Sequence, residues 1–248
     1  MSDERKTYKN YLFDLDQTLL DFHASEKIAL EKVLRANGLS FSDDVYMSFK
    51  TYNKSLWKEL EKGTINREEL FTKRFIYIFG ECEGDSSGLE PLTVNSDFIK
   101  TMSQNGVLID GALELVKRIK EEIKDSKIYI VSNGATINAK GRIASTGLDK
   151  YLDGIFISED MGVNKPSKEF FDIVLDTIKQ PKGSCIVIGD SLSLDMLGAK
   201  NASIDSVWFK PEGDTASAVK EYSIKYTADS FDEIFKVLKD RNESEEGA

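Results

Sequence analysis

Four short clusters in this 248-residue sequence carry residue types suited to phosphate and divalent metal. They are Asp14-Leu15-Asp16-Gln17-Thr18, Ser132-Asn133-Gly134, Lys165-Pro166, and Gly189-Asp190-Ser191 with Asp195 shortly after. Three carboxylates gathered from two strand ends would repel one another if bare, and a hard divalent cation normally relieves such a cluster. Mg²⁺ suits carboxylate and carbonyl oxygens plus waters, and leaves a position for a substrate phosphate oxygen. Lys165 would set a cation beside the substrate. The hydroxyls of Thr18 and Ser132 and the amides near Asn133 can donate to phosphate oxygens. Each cluster alone has a bland explanation. An Asp-x-Asp after a strand is often a solvated turn, Ser132 could cap a helix, Lys165 before proline would ordinarily lie on the surface, and Asp195 could brace its loop. Their order singles them out.

The first, second and fourth clusters directly follow a short apolar run, and the third comes soon after one. Tyr11-Leu12-Phe13 is cut off by the polar string from Asp14 to Thr18, and similar runs occur at Ile128–Val131, Ile155–Ile157, Cys185–Ile188 and Val207–Phe209. These read as buried strands ending at a polar edge. Leu113, Val116 and Ile119 mark a helix between strands. So do Phe170, Phe171, Val174, Leu175 and Ile178, with Ser167 placed to cap that helix. Strands apolar throughout, alternating with helices, imply an α/β fold: a Rossmann-like parallel sheet covered on both faces, with the first strand central. Open sheets of this kind bind ligands beyond the carboxyl ends of their strands, where the clusters fall.

From about Asp21 to Gly106 the alternation stops and only helical periodicity remains. Val45, Phe49, Tyr52 and Leu56 share one face; Phe71, Phe75 and Ile78 share another, behind an Asn66…Glu69 capping-box pair. Gly80 to Gly88 reads as a polar loop. The domain expectation is a core of residues 1–20 and 107–248, with residues 21–106 inserted as a helical cap. The charged tail from Asn242 to Ala248 reads as frayed.

With 40% apolar and 31% charged residues the composition is that of a folded globular chain. The polar start, Met1 to Asn10, lacks the apolar stretch of a secretion signal. No apolar run nears the ~20 residues that span a bilayer. Cys82 and Cys185, the only cysteines, do not suggest a disulfide framework. A cytoplasmic protein without a membrane partner is expected. The net charge of −10 argues against a nucleic-acid polymer as partner but permits a small anion that meets local cations.

The four clusters resemble the four motifs of the haloacid dehalogenase superfamily of phosphatases: D-x-D-x-T, the Ser/Thr after the second strand, the Lys, and G-D-x-x-x-x-D. The resemblance covers nearly the whole chain, including a helical cap directly after the first motif. It implies that Asp14 is the nucleophile forming an aspartyl-phosphate, and that Asp16 protonates the leaving alcohol and then activates water. Mg²⁺ would be held by the Asp14 carboxylate, the Asp16 backbone carbonyl and Asp190, with Asp195 meeting it directly or through water. Thr18 would orient the Asp16 loop, Ser132 would grip the phosphoryl group, and Lys165 would hold that group and Asp14 together. An Asp at position 16 fits a phosphatase rather than a dehalogenase.

Within the superfamily, the string from Leu12 to Phe22, the Asn53…Leu56-Trp57 segment and Ser158-Glu159-Asp160…Lys165-Pro166 are most similar to the bacterial pyrimidine nucleotide 5′-nucleotidases. The implied substrate is a small phosphorylated metabolite, a nucleoside 5′-monophosphate with a pyrimidine preference. Phosphatases for phosphoglycolate or a sugar phosphate, a sugar-phosphate phosphomutase and a non-enzymatic binder on the same fold remain as rivals. Phe49, Tyr52 and Trp57 share a helical face that reads as core packing over base stacking. His23, the sole histidine, is given no role.

Overall fold

Tyr11, Leu12 and Phe13 are fully buried between two parallel neighbours, and this strand organises the larger of two units in the computed structural model. The structure describes residues 7–210 and 213–242. By contacts, residues through Phe22 and from Val107 onward form one unit, and His23–Gly106 form the other.

The larger unit holds β1 (Asn10–Phe13), β2 (Lys127–Ser132), β3 (Gly154–Ile157), β4 (Cys185–Gly189), β5 (Asp205–Phe209) and β6 (Tyr226–Ala228). All pairings are parallel, in the order β3-β2-β1-β4-β5-β6, so the first strand is central as expected. The three-residue β6 is too short to stand out in the sequence. The chain builds outward from β1 to β3 on one side, then returns to lay β4 to β6 on the other. The carboxyl ends of β1 and β4 therefore flank the reversal point where such sheets open a crevice.

Alternation along the strands explains their unbroken apolar character. Tyr11, Phe13, Ile128, Ile130, Ile186 and Ile188 pack on one face with Val116, Ile119, Ile143, Ile234 and Leu238. Leu12, Val131, Cys185 and Val187 pack on the other with Phe170, Phe171 and Val174. Both faces are covered, so residues of both parities are mostly apolar.

The helical unit consists of α1 (Phe22–Ala36, entered from the larger unit), α2 (Asp43–Glu61), α3 (Arg67–Glu81) and α4 (Pro91–Ser103). Ser42 caps α2, and the Asn66–Glu69 capping box at α3 is present with both reciprocal bonds. Phe49, Phe75 and Phe98 form the aromatic centre, with ring centroids 5.6 to 6.0 Å apart. Two expectations need correction here. Helix α3 runs through Gly80 and Glu81, so the polar loop starts only at Cys82. Trp57 does not join the core and is 39% exposed, because the buried stripe of α2 follows Val45, Phe49, Asn53 and Leu56, one position short of it. Tyr52 is half-buried and stacks on Tyr77 at 4.1 Å.

The larger unit continues with α5 (Ala112–Glu122), α6 (Thr136–Thr146), α7 (Ser158–Met161), α8 (Lys168–Ile178), α9 (Leu197–Ala202), α10 (Thr215–Tyr222) and α11 (Phe231–Asp240). Ser167 caps α8 as expected. Both cysteines are free thiols. Among the described residues no helix is long and apolar enough to cross a membrane. The tail beyond Asn242 lies outside the described residues; Asn242 itself donates to Leu238 O and to Tyr11 Oη.

Candidate active site

The first cluster leaves β1 with one more ladder bond, Asp14 N–H to Ile188 O at 2.8 Å, and then doubles back. Gln17 adopts a left-handed φ of 64°, and the amides of Leu19 and Leu20 both return to Leu15 O. This tight turn sinks the Thr18 hydroxyl beneath the strand ends. It donates to Asp14 Oδ2 at 3.1 Å and lies 3.3 Å from Asp190 Oδ1, so one proton is shared between two carboxylates.

Lys165 is 3% exposed, and its three ammonium protons have three acceptors: Asp14 Oδ1 at 2.6 Å, Asp195 Oδ1 at 2.7 Å and Val131 O at 2.8 Å. The other oxygen of Asp195 accepts from Ser191 N–H at 3.1 Å. Asp195, 1% exposed, thus braces both the lysine and its own loop. Gly189 is what admits it. A Cβ on that glycine would overlap the Asp195 carboxylate.

The second cluster holds the third in place. Asn133 Nδ2 donates to Lys165 O at 2.9 Å and Asn133 Oδ1 accepts from Lys165 N–H at 2.9 Å. Its side-chain amide therefore clamps the lysine backbone from both sides. Ser132 Oγ accepts from Gly134 N–H at 3.1 Å, which leaves the hydroxyl proton for another acceptor. Asp16 has a partner that the sequence did not reveal: Arg142 on α6 donates Nη1 to Oδ1 at 2.5 Å and Nη2 to Oδ2 at 3.0 Å. His23 stands at the start of the helical unit, with Nδ1 4.0 Å from Glu26 Oε2.

The buried acids outnumber their cation. Burial pushes the Asp14 carboxyl up to about 7, with the charge of Asp195 adding to it and Lys165 opposing. Burial likewise raises Asp190, to about 6, with Asp14 adding. Asp195 is raised by burial against the pull of Lys165. For Lys165 burial acts downward, but Asp14 and Asp195 together outweigh it and the net direction is up. One ammonium does not neutralise this cluster.

Asp14, Asp190 and Asp195 can bring oxygens within 4.8 Å of one another, an all-oxygen set that fits a hard divalent cation. All three already accept hydrogen bonds, Asp195 from Lys165 and Ser191 N–H, Asp14 from Lys165 and Thr18, and Asp190 from Thr18. A cavity of about 590 Å³ reaches Asp190, lined also by Gln17, Asp21, Asp110, Trp208 and Lys210 among others of the larger unit. The sequence-derived residues Asp14, Thr18, Lys165, Asp190 and Asp195 form one bonded network, with Ser132 and Asn133 beside it and Asp16 turned to Arg142. Arg142, the clamp made by Asn133 and the space at Gly189 escaped the sequence; only the glycine left a trace, as a residue without a side chain at the end of a buried strand.

The family model for haloacid dehalogenase-like hydrolases matches residues 8–203. The chain belongs to that family. It is an enzyme of the hydrolase class. Pyrimidine 5′-nucleotidase PynA of Streptococcus pneumoniae is 36% identical over 205 residues, covering 82% of this chain and 84% of that one. Pyrimidine 5′-nucleotidase YjjG of Escherichia coli is 30% identical, covering 81% and 88%. The HAD-hydrolase YfnB of Bacillus subtilis is similar in structure, with a TM-score of 0.78 at 30% identity over 94% of this chain and 99% of that one; it was crystallised bound to magnesium.

Proposed function

We propose that this family member is a Mg²⁺-dependent phosphate monoester hydrolase that works through an aspartyl-phosphate on Asp14 and acts on nucleoside 5′-monophosphates, pyrimidine deoxynucleotides foremost. The observation that carries the chemistry is the hold on Asp14: Lys165 bonds one carboxylate oxygen and Thr18 the other, at the sheet's reversal point. The substrate is carried by the likeness to PynA and YjjG.

One Asp14 oxygen attacks phosphorus and the bond to the leaving oxygen breaks, while the Asp16 carboxyl proton passes to that oxygen. Water then attacks the phosphorus of the aspartyl-phosphate and gives its proton to Asp16. The Asp14–phosphorus bond breaks, and phosphate leaves a regenerated pair. Lys165, Ser132 and the backbone N–H of Asn133 hold the transferring group. Asp14, Asp190 and the Asp16 carbonyl would hold Mg²⁺, with Asp195 acting through Lys165 and the Ser191 loop. When bound, the ion withdraws charge from the phosphoryl oxygens and screens the carboxylates from one another. Residues 1–20 and 107–248 serve as the catalytic core. Residues 21–106 serve as a cap that excludes bulk water in the first step.

A panel of monophosphates of deoxyuridine, thymidine, uridine and adenosine, with phosphoglycolate and hexose phosphates, tests the reading by phosphate release with Mg²⁺. The nucleotides should lead. If a sugar phosphate or phosphoglycolate exceeds every nucleotide tenfold in kcat/KM, a difference of about 1.4 kcal/mol, the nucleotidase reading falls while the phosphatase reading stands. Isomerised sugar phosphate among the products would instead mark a phosphomutase.

A further inference from the structure

Arg142 is 1% exposed, on a helix whose sequence gives no hint of function. Burying a guanidinium is costly unless it is paired, and here each of its three nitrogens has a partner. Nη1 and Nη2 grip the two oxygens of Asp16, Nε donates to Asn138 Oδ1 at 2.7 Å, and the ring of Phe22 lies 5.3 Å from Cζ. The helix that carries it is pinned in turn. Thr136 N–H donates to Glu159 Oε2 at 2.8 Å and its hydroxyl to Asp160 Oδ1 at 2.7 Å, while Lys140 reaches Asp160 Oδ2 at 2.9 Å.

We propose that Arg142 is a positioning residue for Asp16: its two-pronged bond fixes the plane and place of the carboxylate for exchanging protons with the leaving oxygen and the attacking water. The inference rests on the reading of Asp16 as the acid and base. A planar fork matching both oxygens sets orientation as well as distance, which a point charge on a flexible stem cannot do. Asp16 sits on a turn with its side chain 28% exposed, and Arg142 bonds both of its carboxylate oxygens. Proton transfer is sensitive to such placement.

The role predicts an uneven loss. An aryl phosphate leaves without a proton, so forming the phosphoenzyme from it needs no Asp16. A nucleoside 5′-oxygen needs the proton, and hydrolysis of the phosphoenzyme needs the base. Wild type, Arg142→Met, Arg142→Lys, Asp16→Asn and the Asp16→Asn/Arg142→Met pair are assayed with p-nitrophenyl phosphate and thymidine monophosphate, with rapid acid quench of ³²P-labelled protein. For Arg142→Met, kcat/KM should hold within about twofold for the aryl ester and fall tenfold or more for the nucleotide, and the label should decay tenfold more slowly. Arg142→Lys should recover part of both losses. In the Asp16→Asn background the methionine should cost nothing more.

Equal losses on the two substrates would make Arg142 a structural residue and overturn the inference. So would no loss, or faster turnover. If Arg142→Met does not fold, Asn138→Ala keeps the guanidinium while freeing its Nε; it should show the same uneven loss, about three- to fivefold, and an even loss overturns the inference equally. Failure to label wild type would bring down the aspartyl-phosphate reading and this inference with it. Label that decays alike in wild type and variant would bring down this inference alone.

Discussion

Replacing Lys165 with methionine removes the ammonium bonded to both Asp14 and Asp195 while filling most of its stem volume. Both carboxylates stay buried with one partner fewer, and breaking a buried pair from one side costs about 3–5 kcal/mol. That loss should depend on pH. Burial already holds Asp14 up at about 7 against an ordinary 3.8 with Lys165 present, and Asp195 is raised too. Without the lysine both rise further. An acid whose folded value lies above its unfolded one binds more protons when folded. Its favourable contribution is complete below 3.8 and is lost as pH climbs through the folded value. The variant should therefore show its full deficit near pH 8 and a much smaller one near pH 5, where the carboxyls are protonated. Urea denaturation in chelator measures this, in a Trp57→Phe background so that Trp208, whose indole donates to Asp190 O at 2.9 Å, alone reports on the larger unit. A deficit below about 1 kcal/mol at pH 8, or an equal one at both pH values, would refute the claim that Lys165 holds down unrelieved buried charge.

Mg²⁺ added at 100 times its dissociation constant should stabilise the chelated protein by about 2.7 kcal/mol at pH 8, and less at pH 5, where Asp14 and Asp190 hold protons; a thermal melt with no shift at pH 8 removes the metal assignment. Asn133→Ala should lower kcat about tenfold with little change in melting temperature, since it frees the Lys165 backbone from two 2.9 Å bonds; unchanged kcat would show that the clamp is idle. Gly189→Ala should destabilise by about 1–3 kcal/mol and depress activity, because the methyl meets the Asp195 carboxylate. Wild-type behaviour would show that Asp195 can move without consequence.

The strands and clusters were legible because burial on both sheet faces makes each strand a continuous apolar run, and the chemistry begins at the residue where the run stops. Asp14 after Phe13 and Asp190 after Gly189 are such boundaries. What escaped is set by long-range pairing. Arg142 lies 126 positions from Asp16 and looks like any helical arginine until the fold joins them. The amides near Asn133 read as phosphate donors, but nothing local showed that both polar atoms of its side chain serve Lys165, 32 positions away. Trp57 misled for a local reason: it sits about 80° around α2 from Phe49, close enough to look shared and far enough to stay in solvent.

The full commitment of the Lys165 ammonium makes its encounter with any anion an exchange. Its three protons already rest on Asp14, Asp195 and Val131 O, so an arriving oxygen gains the lysine only by displacing one of them. Affinity there is the small difference between an old bond and a new one. An oxyanion that merely visits gains little from the exchange, whether it arrives from solvent or is left behind when a reaction ends. Such a lysine resists clogging by inorganic anions, and it rewards only a group that compensates the displaced carboxylate by binding elsewhere as well.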